Sequence, residues 1–192
     1  MNNSKTGTNK KKIIMKKTIV SLILSIIGLT TLFAGSPAEY KKGDIVFIMS
    51  KSSQAPLIRY ATSSPWTHCG IVVYKGDEPY VLEASNVVKL TPLYAFLRKG
   101  KFKINTTRRV VDRPIKINYK QYLGIPYDSQ FSLKNKRYYC SELVWVIYKK
   151  QFGIELCKPK PLSKYRTFGL SKVMKKRGIS KGSLFIAPCD LM

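Results

Sequence analysis

Histidine is almost absent from this sequence. The 192 residues contain one, His68, so any chemistry that needs an imidazole must use that residue. Acidic residues are scarce as well: ten Asp and Glu stand against 35 Lys and Arg, for a net charge of +25. A surface this basic attracts anionic partners and repels cationic ones. Four cysteines are too few for a disulfide scaffold, and no CxxC pair is present to build a zinc ribbon. One histidine and scattered cysteines make no recognisable zinc ligand set, so neither a metal nor a cofactor is expected. The basic residues come without a zinc-finger, RNA-recognition or helix-turn-helix signature, and no specific nucleic-acid partner is expected. Their densest cluster, Lys172, Lys175, Lys176, Arg177 and Lys181, reads as a solvated helix face. What is present is ordinary for a globular chain: 44% hydrophobic and 11% aromatic residues. That excludes disordered, collagen-like and coiled-coil classes.

The N-terminus has the layout of a targeting segment. Lysines 5, 10, 11, 12, 16 and 17 precede an uncharged run from Thr18 to Ala38, most apolar between Ile19 and Ala34. A basic start, a short apolar stretch and small residues at the end describe a secretory signal peptide. Ser36-Pro37-Ala38 puts small residues at −3 and −1, which predicts cleavage after Ala38 and a mature chain beginning at Glu39. The alternative is an uncleaved anchor, but the apolar run is shorter than a spanning helix prefers and holds several Ser, Thr and Gly residues. No cysteine lies near the cleavage point, which argues against a lipoprotein. Residues 1–38 are thus expected to be extension and signal, and 39–192 a single domain. Without the six N-terminal lysines, 29 basic and ten acidic residues remain, a net charge of +19. The basicity belongs to the folded domain, and export to the periplasm or cell envelope is expected.

Along the mature chain the pattern is strand-rich at first and helical later. Strands are predicted at Ile45–Met49, Thr67–Tyr74, Tyr80–Ala84, Val87–Thr91 and Phe102–Val111, with short helices at Pro56–Ala61 and Pro92–Arg98. After Pro114 the pattern turns helical. The strongest helix is Ser141–Phe152, closed by Gly153. A further helix at Gly169–Arg177 and a final strand at Ser183–Ala187 complete the reading. Strands gathered first, with helices at the ends, predict an α+β domain around an antiparallel sheet packed against helices.

The chemistry centres on thiol and imidazole. His68 opens an apolar strand, where a side chain faces the rim of a sheet. Its neighbour Cys69 should point to the opposite face and pack as a small core hydrophobe. Cys140 has the more useful setting, at the first turn of the strongest helix, where unpaired N–H groups and the helix dipole favour thiolate. His68 within reach would activate it. A third group should orient the imidazole, and Glu83, mid-strand beside the His68 strand, is the best placed acid. Glu142 reads instead as an acid favoured by the helix dipole in the first turn. Cys157 and Cys189 would be able to pair in an oxidising compartment.

Three segments carry a family resemblance: Thr67-His68-Cys69-Gly70-Ile71-Val72, Leu82-Glu83-Ala84-Ser85 and Tyr139-Cys140-Ser141-Glu142-Leu143-Val144. Together they resemble the YiiX-like branch of the permuted NlpC-type papain-like cysteine peptidases and amidases, over nearly the whole chain after Lys42. Unpermuted relatives run Cys, then His, then a polar residue; here His68 and Glu83 precede Cys140. Gly124-Ile125-Pro126-Tyr127 resembles the Gly-x-Pro-Tyr segment of that superfamily, which implies that Tyr127 lines the site near the oxyanion. Tyr139, directly before Cys140 where the superfamily carries Asp, is grouped with it on the substrate side. The resemblance implies a circularly permuted papain-like fold and an exported cysteine amidase or peptidase with a Cys140–His68–Glu83 triad. Its substrates would be peptides or amides of cell-wall type, met at an anionic envelope surface. Two other functions remain open from sequence: a thiol acyl hydrolase or acyltransferase acting on lipids, and a non-enzymatic basic envelope-binding protein.

Overall fold

A computed structural model describes residues 40–113 and 115–192; the expected signal segment and its cleavage point lie outside the described residues. Five strands form one antiparallel sheet: β1 (Ile45–Ser50), β2 (His68–Lys75), β3 (Glu78–Ala84), β4 (Val88–Pro92) and β5 (Gly100–Arg108), in the order β4-β3-β2-β1-β5. Two short helices, α1 (Ala55–Thr62) and α2 (Leu93–Arg98), interrupt the strands, and α3 (Cys140–Phe152) follows them. This is the expected α+β architecture.

β1 is apolar from Ile45 to Met49 and buried along its whole length, because both faces of the sheet are covered. Side-chain alternation divides the core in two. On one face Phe47, Cys69, Ile71, Leu82 and Ala84 meet Leu143, Val144 and Ile147 of α3; on the other Val46, Ile48, Val72 and Val81 meet Leu93 and Phe96 of α2. Leu143, Val144 and Ile147 are completely buried, each contributing roughly 1.5–3 kcal/mol. Gly153 ends α3 in the left-handed conformation at φ 68°, with the Gly153 and Ile154 N–H groups closing on the Lys149 and Tyr148 carbonyls, as a helix C-terminus requires.

The structure departs from expectation in three places. β5 ends at Arg108, not Val111, because the Arg109 guanidinium turns to the buried Asp44 and holds both its carboxylate oxygens at 2.9 Å. The chain after Pro114 is mostly irregular before α3, with one helical turn at Lys120–Tyr122. Gly124 at φ 81° and Pro126 break any helix there, and the segment docks on β4 through Gly124 N–H to Val88 O (2.9 Å) and Val88 N–H to Ile125 O (2.8 Å). The last helix, α4, spans only Ser171–Lys176. The final strand shrinks to β7 (Leu184–Phe185), which pairs with an unexpected two-residue β6 (Lys160–Pro161).

Candidate active site

Cys140 is the first residue of α3, one position earlier than the sequence pattern suggested. Its backbone is fixed from the C-terminal segment: Ser141 Oγ donates to the Ile186 carbonyl at 2.7 Å, and the Ile186 N–H donates to the Tyr139 hydroxyl at 3.1 Å. The Tyr139 ring stacks on Phe185 and meets Phe131 edge-on. Tyr139 is only 1% exposed and does not line the cleft, so its placement on the substrate side is corrected: it is a buttress beneath the start of α3. Glu142 stands in the first turn of α3 as expected, and it caps the helix start. Its carboxyl accepts the Tyr139 N–H at 3.4 Å, and burial, reinforced by Asp128, pushes its pKa up to about 8. Burial therefore outweighs the dipole, and at neutral pH this acid is largely protonated.

His68 and Glu83 share the face of the sheet that carries α2. Gly70 lies between His68 and Val72 on that face, at the level of Glu83. A Cβ at Gly70 would stand 2.4 Å from Val81 Cγ1, 2.7 Å from the Leu82 carbonyl and 3.3 Å from Glu83 Cβ. The bare glycine lets the Glu83 side chain cross toward His68, and Glu83 Oε2 meets His68 Nε2 at 2.6 Å. The other carboxylate oxygen accepts from Thr91 Oγ1 and Lys99 Nζ. Burial alone would raise the Glu83 pKa; the hydrogen bonds and charge of His68, with Lys99 and Thr91, overcome it and hold the carboxyl at about 2. Phe96 lies 5.4 Å from the His68 ring, centroid to centroid, and limits its rotation.

With Nε2 on Glu83, the imidazole keeps its other nitrogen free to serve Cys140, which lines the same cleft. Burial would lower the His68 pKa, but Cys140 and Glu83 outweigh it and raise it to about 9. Cys69 does point to the face opposite His68, in the core with α3. That face, however, is the one on which Cys140 sits. Cys69 packs in the core as expected, completely buried, and there it neighbours Cys140. The neighbouring Cys69 thiol and the charge of the His68 imidazole hold Cys140 well below the ordinary thiol range despite burial, while burial and the neighbouring Cys140 push Cys69 up. Both shifts favour a Cys140 thiolate beside a His68 imidazolium. Cys157 and Cys189 are free thiols.

The Cys140–His68 pair opens into a cleft of about 400 Å³, which Tyr127 and Asn86 also line. Tyr127 is held there by its N–H on the Asn86 carbonyl at 3.0 Å. Its phenol is pushed well above the usual range, burial first and then the Cys140 charge, so the hydroxyl keeps its proton. The sequence reading singled out Cys140, His68, Glu83 and Tyr127, and all four meet here. It missed Thr91, Lys99 and Gly70. A glycine two residues after the lone histidine on a strand was the one available signal.

A thiolate at a helix start, an imidazole on a strand edge and a buried carboxylate behind it, in the order His, Glu, Cys, define a papain-like cysteine hydrolase with permuted connectivity. The chain belongs to the family of the permuted papain-like amidase enzyme, YaeF/YiiX, C92 family, which matches residues 39–180. It is 37% identical over 151 residues to the uncharacterized protein YiiX of Escherichia coli strain K12, covering 75% of this chain and 73% of that one. Its fold is similar to the crystal structure of the metalloprotein yiiX from Escherichia coli O157:H7, with a TM-score of 0.72, 32% identity and coverage of 79% of this chain and 91% of that one. Membership of an enzyme family favours an enzyme over the purely binding role that the sequence left open.

Proposed function

We propose that this cysteine amidase hydrolyses amide bonds of peptide-type substrates, of the cell-wall kind, through an acyl-enzyme on Cys140. The Cys140 thiolate attacks the carbonyl carbon. The developing oxyanion is met by the Cys140 N–H at the start of α3 and by the protonated Tyr127 hydroxyl. His68 delivers its proton to the leaving amine as the C–N bond breaks. The neutral imidazole then takes a proton from water, which attacks the acyl-enzyme and frees Cys140. Glu83 holds the His68 ring and balances its positive charge, while Thr91 and Lys99 hold Glu83. The observation that carries this reading is the placement of Cys140 and His68 on one cleft, with the buried Glu83 holding the imidazole at 2.6 Å.

The substrate class rests on the family and the charge. A chain at +25, or +19 without its first 38 residues, concentrates at an anionic wall or membrane surface, and the N-terminal pattern fits export with cleavage after Ala38. The E. coli neighbour is described as a metalloprotein. In this chain the lone imidazole is engaged by Glu83 at 2.6 Å, and among the described residues no group of three or more His, Cys, Asp or Glu is placed to hold a metal ion.

The test is turnover of the purified protein on a panel of wall-type peptides and peptide amides beside phospholipid esters, with Cys140→Ala as the control. Amine release from the peptide panel that disappears in Cys140→Ala is expected. Release only from the lipids, or release that survives Cys140→Ala, would overturn the proposal.

A further inference from the structure

Strand β5 does not run evenly along β1. Asn105 pairs with Ile48 and Gly100 with Ser50, so Lys101, Phe102, Lys103 and Ile104 stand against Met49 alone and bulge out of the ladder as a loop. The base of the loop is closed: a Cβ at Gly100 would stand 3.4 Å from the Ile104 carbonyl. Asn105 fixes the tip, with Nδ2 donating to the Lys103 carbonyl at 3.0 Å and Oδ1 accepting from the Tyr40 hydroxyl at 3.3 Å. Phe102 and Lys103 form the turn, at φ 54° and 55°.

Two consecutive residues in the left-handed region make a turn that Gly, Asn and Asp ordinarily build, and a bulky side chain is strained there. The fold gains no burial in return. Phe102 is 83% exposed and Ile104 42%, and neither belongs to either core cluster. A single exposed apolar residue needs no explanation, but a phenylalanine held out on a strained, hydrogen-bonded turn points to a use. Its surroundings are cationic. Lys101 and Lys103 flank the ring, and at the foot of the loop Lys51 Nζ donates to the Arg98 carbonyl at 3.0 Å. The sequence has no acid between Glu83 and Asp112. Ser50, Lys51 and Lys99, which precede or face the loop, also line the Cys140 cleft, so the loop stands at the rim of the active site.

We propose that this loop docks the enzyme on an anionic phospholipid bilayer, with Phe102 entering the boundary between headgroups and acyl chains and Lys101 and Lys103 meeting the headgroup phosphates. An apolar tip in a cationic collar fits that partner, because the bilayer offers negative charge at its surface and apolar depth beneath it. A wall polymer offers the charge but no place for the ring. The docked loop brings the mouth of the Cys140 cleft to the membrane face. This rests on the envelope reading above and names the surface at which the enzyme works; it holds whichever amide is cut.

The test is co-sedimentation of the full-length protein with vesicles of equal parts phosphatidylglycerol and phosphatidylcholine. Phe102→Gly removes the ring and suits the left-handed backbone. Its melting temperature should match or exceed that of wild type while its vesicle affinity falls at least about tenfold. Lys101→Gln and Lys103→Gln should each weaken binding about fivefold, and added salt should weaken binding of the wild type. Phe102→Trp should keep binding, and lipids brominated along their acyl chains should quench the emission it adds to that of Trp66 and Trp145. Equal binding by wild type and Phe102→Gly, or an unquenched Phe102→Trp, would overturn the proposal. A loss confined to the lysine variants would reveal a site for a soluble polyanion, and a dimer abolished by Phe102→Gly without vesicles would reveal a contact with a second copy; either overturns it. A lower melting temperature in Phe102→Gly would assign the ring to the fold instead. Cys140→Ala should bind vesicles as wild type does, so docking is read independently of turnover. Failure on the peptide panel leaves the docking result standing, and failure to dock leaves the amidase reading standing.

Discussion

Glu83→Gln removes a charge but almost no volume, so it isolates what the carboxylate contributes. In the folded chain the Glu83 pKa lies at about 2 against an ordinary 4.5, and its side chain is fully buried. A tenfold change in proton affinity is worth about 1.4 kcal/mol, so the ionised form stabilises the fold by about 3 kcal/mol at pH 7. The sign follows from the direction. A depressed carboxyl pKa gives stability that is fully present above the unfolded value near 4.5 and is lost as pH falls toward 2. The gap between wild type and Glu83→Gln, measured by urea unfolding, should therefore be about 3 kcal/mol at pH 7, about 2 at pH 3.5 and under about 1 at pH 2.5. Because Glu83 is also one of the groups that raise His68, the variant should lower the imidazole pKa from about 9 and make the Cys140 thiolate scarcer. Turnover should fall, and the alkylation profile of Cys140 should move to higher pH. A stability gap of the same size at all three pH values would mean that shape, not charge, was lost. No gap at pH 7, with an unmoved alkylation profile, would refute the electrostatic account of Glu83 altogether.

Gly70→Ala should destabilise by about 1–3 kcal/mol through overpacking against Val81 and the Leu82 carbonyl, and should reduce turnover more than an equally destabilising core variant on the α3 face; thermal unfolding beside kinetics decides it. Lys99→Met should leave Glu83 with one cation fewer and reduce kcat with little change in KM, because Lys99 acts through Glu83; a change confined to KM would place the lysine on the substrate instead. N-terminal sequencing of protein recovered from the envelope fraction should begin at Glu39, and a chain that keeps residues 15–38 would make the segment an anchor.

The parts of this site that were legible in the sequence are those tied to local pattern. The lone His68 at a strand start, Glu83 in the neighbouring strand and Cys140 ahead of an apolar 3.6-residue repeat each needed only their own segment to be read. The sheet followed in the same way, because β1 to β3 carry apolar runs bounded by turn and loop residues. Lys99 and Thr91 were hidden because their roles depend on register: Thr91 sits opposite Val81 on β3, and Lys99 ends α2, so both reach Glu83 only once three strands are aligned. Alternation correctly sent Cys69 to the face opposite His68 and into the core, but the face on which α3 would dock was not encoded locally. The segment from 115 to 139 misled because its turn residues act by docking on β4, a contact without a local signature. Tyr139 misled because adjacency to the nucleophile in sequence does not fix on which side of the helix start the ring lies.

The central claim is that Cys140 is a thiolate nucleophile paired with His68, and brief exposure of the folded protein to iodoacetamide across pH, followed by peptide mapping, tests it most directly. Cys140 should be the thiol that labels, at a rate already high well below pH 9, the ordinary thiol value from which it is displaced. The His68→Ala variant should show that profile shifted upward. Labelling first at Cys69, Cys157 or Cys189, or a Cys140 profile that rises only near pH 9 and ignores the loss of His68, would contradict it.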